Sequence, residues 1–178
     1  MLPRMGKGEA DMNRKPRQSG CLSLGFIKKE TALPSEERMG KGPVVIIECV
    51  EDIPCDPCVE SCRNKAIIKE SLTAPPVVDY DKCTGCALCV AACPGLAIFI
   101  VDCSRGEKAL VYIPYEMLPV PREGDRGDAL DRSGKRVGSA EVAEVRKEKR
   151  GTTVLGILVN KHLAMDVRSI RISERSDG

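Results

Sequence analysis

The chain has 178 residues, enough for one or two domains. Hydrophobic residues make up 42 % and charged residues 30 %, but aromatics only 3 %, with no Trp, which argues against an aromatic core and against stacking platforms for single-stranded nucleic acid. The net charge of +2 is uneven: residues 1–42 carry +4, 43–103 carry −5 and 104–178 carry +3, so the cysteine-rich middle has the wrong sign for a nucleic-acid-binding zinc module.

Residues 1–42 mix Gly, Pro, Lys, Arg, Ser and Glu with no sustained period, and are expected to form a flexible N-terminal tail. Met-Gly-Lys-Gly occurs at 5–8 and 39–42, without the offsets of a phosphate-binding loop. Met5, Met12 and Met39 are alternative starts. The only apolar candidate for an export signal, Cys21 to Ile27, is short and interrupted. No apolar run approaches the roughly 20 residues of a membrane-spanning helix. A cytoplasmic protein is expected, in which ten cysteines point to metal or redox chemistry more than to disulfides.

Val44 to Ile47 reads as a strand. A cysteine cluster, Ala66-Ile67-Ile68, Val77-Val78, a second cluster and Ala97 to Val101 follow. The segment repeats itself at an offset of 31: Cys55, Cys58 and Cys62 map onto Cys86, Cys89 and Cys93, and Ile46-Ile47 onto Val77-Val78. Each half reads strand, cysteine loop, short helix, strand. From about residue 108, strand-like runs (Ala109–Ile113, Val142–Val145, Val154–Val159, Val167–Ile172) alternate with turn signals, and suggest a small all-β unit over 104–178. Gly127, Gly138 and Gly156 mark candidate bulges or corners.

The second cluster, Cys83-Thr-Gly-Cys86-Ala-Leu-Cys89-Val-Ala-Ala-Cys93-Pro94, is a C-x2-C-x2-C-x3-C-P run. Three thiolates at intervals of three can wrap three corners of an iron–sulfur cube, and the fourth turns away to a second cluster. Gly85 lets the loop come close. Zinc sites draw on two separated pairs, a poor fit. The first cluster is irregular: the repeat puts Asp52 where Cys83 stands, Cys49 lies three residues earlier, and Arg63 replaces the Pro. Cys49 supplies the missing thiolate, or Asp52 an oxygen ligand, or only three irons are held as [3Fe-4S]; thiolate chemistry favours Cys49. With crossing fourth ligands, Cys49, Cys55, Cys58 and Cys93 form one set and Cys83, Cys86, Cys89 and Cys62 the other. Cys21 and Cys103 read as ordinary thiols, His162 lacks an acid–base partner, and Arg146 to Arg150 reads as a solvated hairpin tip.

Residues 44–103 resemble the bacterial-type two-[4Fe-4S] ferredoxin domain. The resemblance implies an α+β fold: a ferredoxin-like two-cluster β–α–β repeat over 43–103, followed by the small β-rich unit. Glu48 to Cys58, Pro94 to Phe99 and Ile113 to Pro121 look like the small iron–sulfur subunits of FAD-dependent dehydrogenases acting on proline or hydroxyproline. That resemblance implies two [4Fe-4S] clusters relaying single electrons between a partner flavoprotein and an external acceptor. A free-standing mobile ferredoxin is the rival reading. No nucleophile–base set or nucleotide loop suggests an enzyme in its own right.

Overall fold

The computed structural model describes residues 20–147 and 152–174. Two short helices open it, α1 (Leu24–Glu30) and α2 (Glu36–Gly40), capped by Ser23 and Ser35, whose hydroxyls accept from the N–H of Phe26 and Arg38. Ile27 and Met39 are buried. The expected flexible tail therefore does not describe residues 24–40; residues 1–19, with Met5 and Met12, lie outside the described residues. Neither helix has a long apolar stripe, and two-turn helices are held by caps and by tertiary contacts more than by period.

The repeat follows as β1 (Val44–Ile47), α3 (Pro57–Glu60) and β2 (Ile67–Ile68), then β3 (Val77–Val78), α4 (Leu88–Ala92) and β4 (Ile98–Asp102). Five further strands complete the chain: β5 (Lys108–Tyr115), β6 (Arg126–Leu130), β7 (Arg136–Arg146), β8 (Thr153–Asn160) and, after a 3-10 turn at Lys161–Leu163, β9 (Ser169–Glu174). Seven strands make one antiparallel sheet in the order β1-β4-β5-β8-β7-β6-β9, and β2 and β3 pair separately. Strands on either side of residue 103 thus share a sheet.

The halves of the repeat exchange strands. β1 pairs with β4, Ile46 opposite Phe99, and β3 pairs with β2, Val77 opposite Ile68. These are the same register displaced by 31 residues. The match extends to the backbone: Glu48 N–H donates to Ala97 C=O as Asp79 N–H does to Ala66 C=O. Lys65 and Leu96 both take φ 51°.

Side-chain alternation divides the core. Val45, Ile47, Ile98 and Ile100 pack with Cys58, Cys89 and Val90, on the cysteine side. Val44, Ile46, Phe99 and Val101 face a second core with Val111, Leu155, Ala129 and Ile170. The first and last strands of the sheet contribute to this second core, so the sheet curls over it. Each fully buried Ile or Val contributes roughly 1.5–3 kcal/mol.

Two strand features differ from the sequence reading. β6 and the start of β7 (Arg136–Ala140) were not expected, because Arg-Gly-Asp-Ala-Leu and Arg-Val-Gly-Ser-Ala lack a β-branched run. Gly127, Gly138 and Gly156 all stand at register irregularities. A Cβ at Gly127 would collide with the backbone of Arg171 and Ile172.

Candidate metal centre

The cysteines sit at the ends of the short helices, where chain reversals bring them in from both halves. Cys58 lies in α3 and Cys89 in α4, and both are buried. All ten cysteines are free thiols. Burial, the largest influence, raises the Cys49 and Cys58 thiols; nearby Cys93 and Cys55 raise both further. Burial likewise lifts Cys89 far above the ordinary thiol range, reinforced by Cys83, Cys86, Cys62 and, from the first loop, Cys58. Cys62, Cys83, Cys86 and Cys89 also line one cavity with Val45, Gly85 and Ile100. Cys49, Cys55, Cys58 and Cys93 are thus neighbours, and Cys62, Cys83, Cys86 and Cys89 share the cavity; each gathering includes a cysteine from the other half of the repeat, and Cys58 and Cys89 link the two. Asp52 is exposed.

Backbone donors face the sulfurs. Ala66 N–H donates to Cys62 Sγ at 3.2 Å, and the backbone at Glu51 and Val59 lowers the Cys49 and Cys58 thiols. Such donors favour thiolates. Among the described residues, no three His, Cys, Asp or Glu converge on a point as a single ion requires. A cube presents its four irons at separate corners, and suits thiols that are neighbours without meeting.

The second loop is held from several directions. Gly85 has φ +64°, and a Cβ there would lie 2.5–2.6 Å from Pro43, so only glycine fits. Arg38 in α2 donates from Nη2 to Cys83 C=O at 2.6 Å and from Nε to Tyr80 C=O at 3.0 Å. Tyr80 in turn donates its hydroxyl to Ala32 C=O at 2.5 Å, and burial pushes its phenol up to about 12, Cys83 adding to the shift. Arg146 in β7 lies over the Tyr112 ring at 4.5 Å and donates to Cys86 C=O at 3.2 Å. Arg146 is therefore not part of a solvated tip; residues 148–150 of that stretch lie outside the described residues.

The first loop is held through Glu48, beside Cys49. The Glu48 carboxylate accepts from Arg132 Nε at 2.9 Å and from Arg168 Nε at 2.8 Å, all three side chains being almost wholly buried. The Arg168 guanidinium lies over the Phe99 ring at 4.7 Å, and its Nη2 has no hydrogen-bond partner. Burial lowers Arg168 to about 10, Glu48 opposing and Arg132 adding. Farther along, Lys69 donates to Leu72 C=O at 2.7 Å and to Cys55 C=O at 2.5 Å. No sequence signal linked Glu48 to arginines 84 and 120 residues away.

Cys103 is buried, its N–H bound to Met39 C=O, and stands in neither gathering. Cys21 is half-buried near α1. His162 is exposed on the 3-10 turn.

Residues 76–99 match the 4Fe-4S binding domain family. An uncharacterized ferredoxin of Methanocaldococcus jannaschii is 30 % identical over 141 residues, covering 78 % of this chain and 85 % of that one. The chain belongs to the ferredoxins. This ferredoxin is also 32 % identical over 78 residues to subunit PorD of pyruvate synthase from Methanothermobacter marburgensis, covering 43 % of this chain and 90 % of that subunit. It is 38 % identical over 53 residues to the polyferredoxin-like subunit of an aliphatic sulfonate oxidoreductase from Pyrococcus furiosus, spanning 28 % of that subunit. No solved structure matches it. Iron–sulfur binding and an electron-transfer role follow from this membership. No described helix is long and apolar enough to cross a membrane.

Proposed function

We propose that this ferredoxin is the electron-transfer subunit of an oxidoreductase complex, relaying single electrons through two [4Fe-4S] clusters between a flavoprotein dehydrogenase and an external acceptor. Cys49, Cys55, Cys58 and Cys93 hold one cluster, and Cys83, Cys86, Cys89 and Cys62 the other. The observation that carries this reading is the approach of thiols across the repeat: Cys93 lies near Cys49 and Cys58, and Cys62 shares a cavity with Cys83, Cys86 and Cys89. When bound, a cluster takes up and releases one electron at a potential tuned by charge, hydrogen bonds to sulfur and exposure. The chain's own residues hold the loops, exclude water from Cys58 and Cys89, and aim N–H groups at sulfur. Cys49, which lies near Cys93 and Cys55, is the better fourth ligand of the first set than Asp52.

The subunit reading draws on relatives that are themselves subunits of oxidoreductases. A mobile carrier is the second reading, because the relative matched over most of its length is described only as a ferredoxin. Anaerobic purification of the native protein, with flavin, iron and sulfide assays, separates them. A flavoprotein co-eluting in fixed ratio with eight irons per chain supports the subunit. Eight irons and no flavin support the carrier. An iron-free native protein overturns both. A Cys49→Ser variant that still takes up a full set of irons moves the fourth ligand to Asp52.

A further inference from the structure

The repeat places two equivalent antiparallel strand pairs in one chain, β1–β4 and β2–β3 (hairpins, for short), and only one of them is covered. On the β1–β4 hairpin, Ile46 is 0 % and Phe99 6 % exposed, packed into the core built by the C-terminal strands. Their counterparts on the β2–β3 hairpin, Val77 and Ile68, are 54 % and 55 % exposed. The inner residues Ile67 and Val78 pack onto the cysteine core as Ile98 and Ile47 do, so the hairpins present the same faces. Ile53 and Leu72 extend the exposed apolar surface beside the first cysteine loop, and Leu72 C=O accepts from Cys55 N–H. Only Met117 and Leu118 expose comparable side chains elsewhere among the described residues.

The covered hairpin shows what kind of surface fits. Its cover is apolar at the centre and cationic at the edge: Arg168 lies over Phe99, and Arg132 and Arg168 grip Glu48. The counterpart of Glu48 is Asp79, whose carboxylate meets only the exposed Lys82 and local backbone. Five acidic residues, Glu51, Asp52, Asp56 and Glu60 on the first cysteine loop and Glu70 on the β2–β3 turn, are exposed, outnumbering the exposed Arg63 and Lys65 of that stretch. A second copy of this chain would bring the same acidic rim, which disfavours self-association.

We propose that the Ile68–Val77 face, with Ile53 and Leu72, docks a redox partner protein whose contact surface is apolar at its centre and rimmed by arginine or lysine. The partner takes the place on β2–β3 that the C-terminal strands take on β1–β4, and meets the chain close to the thiols: Ile67 lines the cavity of Cys62, Cys83, Cys86 and Cys89, and Leu72 C=O bonds Cys55 N–H. This rests on the electron-transfer reading.

The test uses the full chain with clusters loaded, reduced anaerobically by dithionite and freed of excess reductant. A basic c-type cytochrome is the probe, since it offers an accessible haem edge within a lysine rim. One electron passes from the reduced chain to ferric haem, giving ferrous haem, and stopped flow reads the second-order rate. The paired substitution Ile68→Thr with Val77→Thr is expected to slow transfer at least fivefold at unchanged iron content and visible spectrum. Glu51→Lys with Glu70→Lys slows it similarly and flattens its salt dependence. Met117→Thr with Leu118→Thr leaves it within twofold. Transfer by the Ile68/Val77 variant within twofold of wild type overturns the proposal. So does a wild-type dimer in light scattering that this variant makes monomeric, since the face then serves a second copy. A chain that holds no iron, or reduces no cytochrome in any form, instead overturns the electron-transfer reading on which the proposal stands.

Discussion

The two cysteine loops descend from one pattern but are held in different ways. The second, Cys83 to Cys93, has the regular motif and is clamped through its backbone, by Gly85 against Pro43, by Arg38 on its entering carbonyls and by Arg146 of β7 on Cys86 C=O. The first, Cys49 to Cys62, has a lengthened start and an Arg where Pro is usual. Its anchor is remote: Glu48 is tied to Arg132 and Arg168 of the C-terminal region. The difference teaches that the strands after residue 103 act as part of the cluster holder. They cover one hairpin and grip the residue next to Cys49.

Removal of the iron should separate the two hairpins most sharply. β2 and β3 are two residues each and pair with nothing else, so their stability is expected to come from the metal centre. β1 and β4 belong to the large sheet. Hydrogen exchange on apo-protein should show amides of residues 67–78 unprotected while β5 and β8 keep protection. Equal loss across both hairpins would break the comparison.

Glu48→Ala comes next. It leaves two buried arginines facing each other without a counterion, and breaking such a buried pair costs about 3–5 kcal/mol. Anaerobic urea unfolding should show that loss, with iron lost first from the Cys49 set. Gly85→Ala should have the reverse distribution. The positive φ and the contact with Pro43 together cost about 1–3 kcal/mol, and the Cys83 set should fill incompletely, as iron titration would read.

Tyr80→Phe should have the smallest effect, about 0.5–1.5 kcal/mol for the lost bond to Ala32. The pH dependence carries a sign. The native phenol titrates at about 12, above its ordinary value of 10.0, so the native state favours the neutral form. That contribution is complete below pH 10 and is lost as pH rises through about 12. Wild type should therefore lose more stability than Tyr80→Phe across that window in unfolding titrations.

Much of the cluster region was legible because its signals are local. The C-x2-C-x2-C-x3-C-P spacing and the Val/Ile runs act within a dozen residues, and the offset of 31 repeats such local patterns. β5 and β8 were legible for the same reason. Helices α1 and α2 were not, since their formation depends on Ser caps and on burying single residues, Ile27 and Met39, against distant partners. β6 was hidden because Arg-Gly-Asp-Ala-Leu takes its place from Gly127 lying close under Arg171, a constraint written in another strand. The Glu48 ion cluster is invisible for a plainer reason: one carboxylate and two guanidiniums have no periodicity.

The Glu48 anchor also orders events as the chain is made. A ribosome delivers the N-terminal part first, so Arg38 is in place before Cys83 emerges, and all eight cysteines from Cys49 to Cys93 are out by residue 93. Arg132 and Arg168 come tens of residues later. The second loop can receive its first clamp, from Arg38, on a nascent chain and its last, from Arg146, only later, whereas both partners of Glu48 come after the loop it anchors is complete. Truncation near the end therefore strips the anchor from the loop that lies farthest from it in sequence.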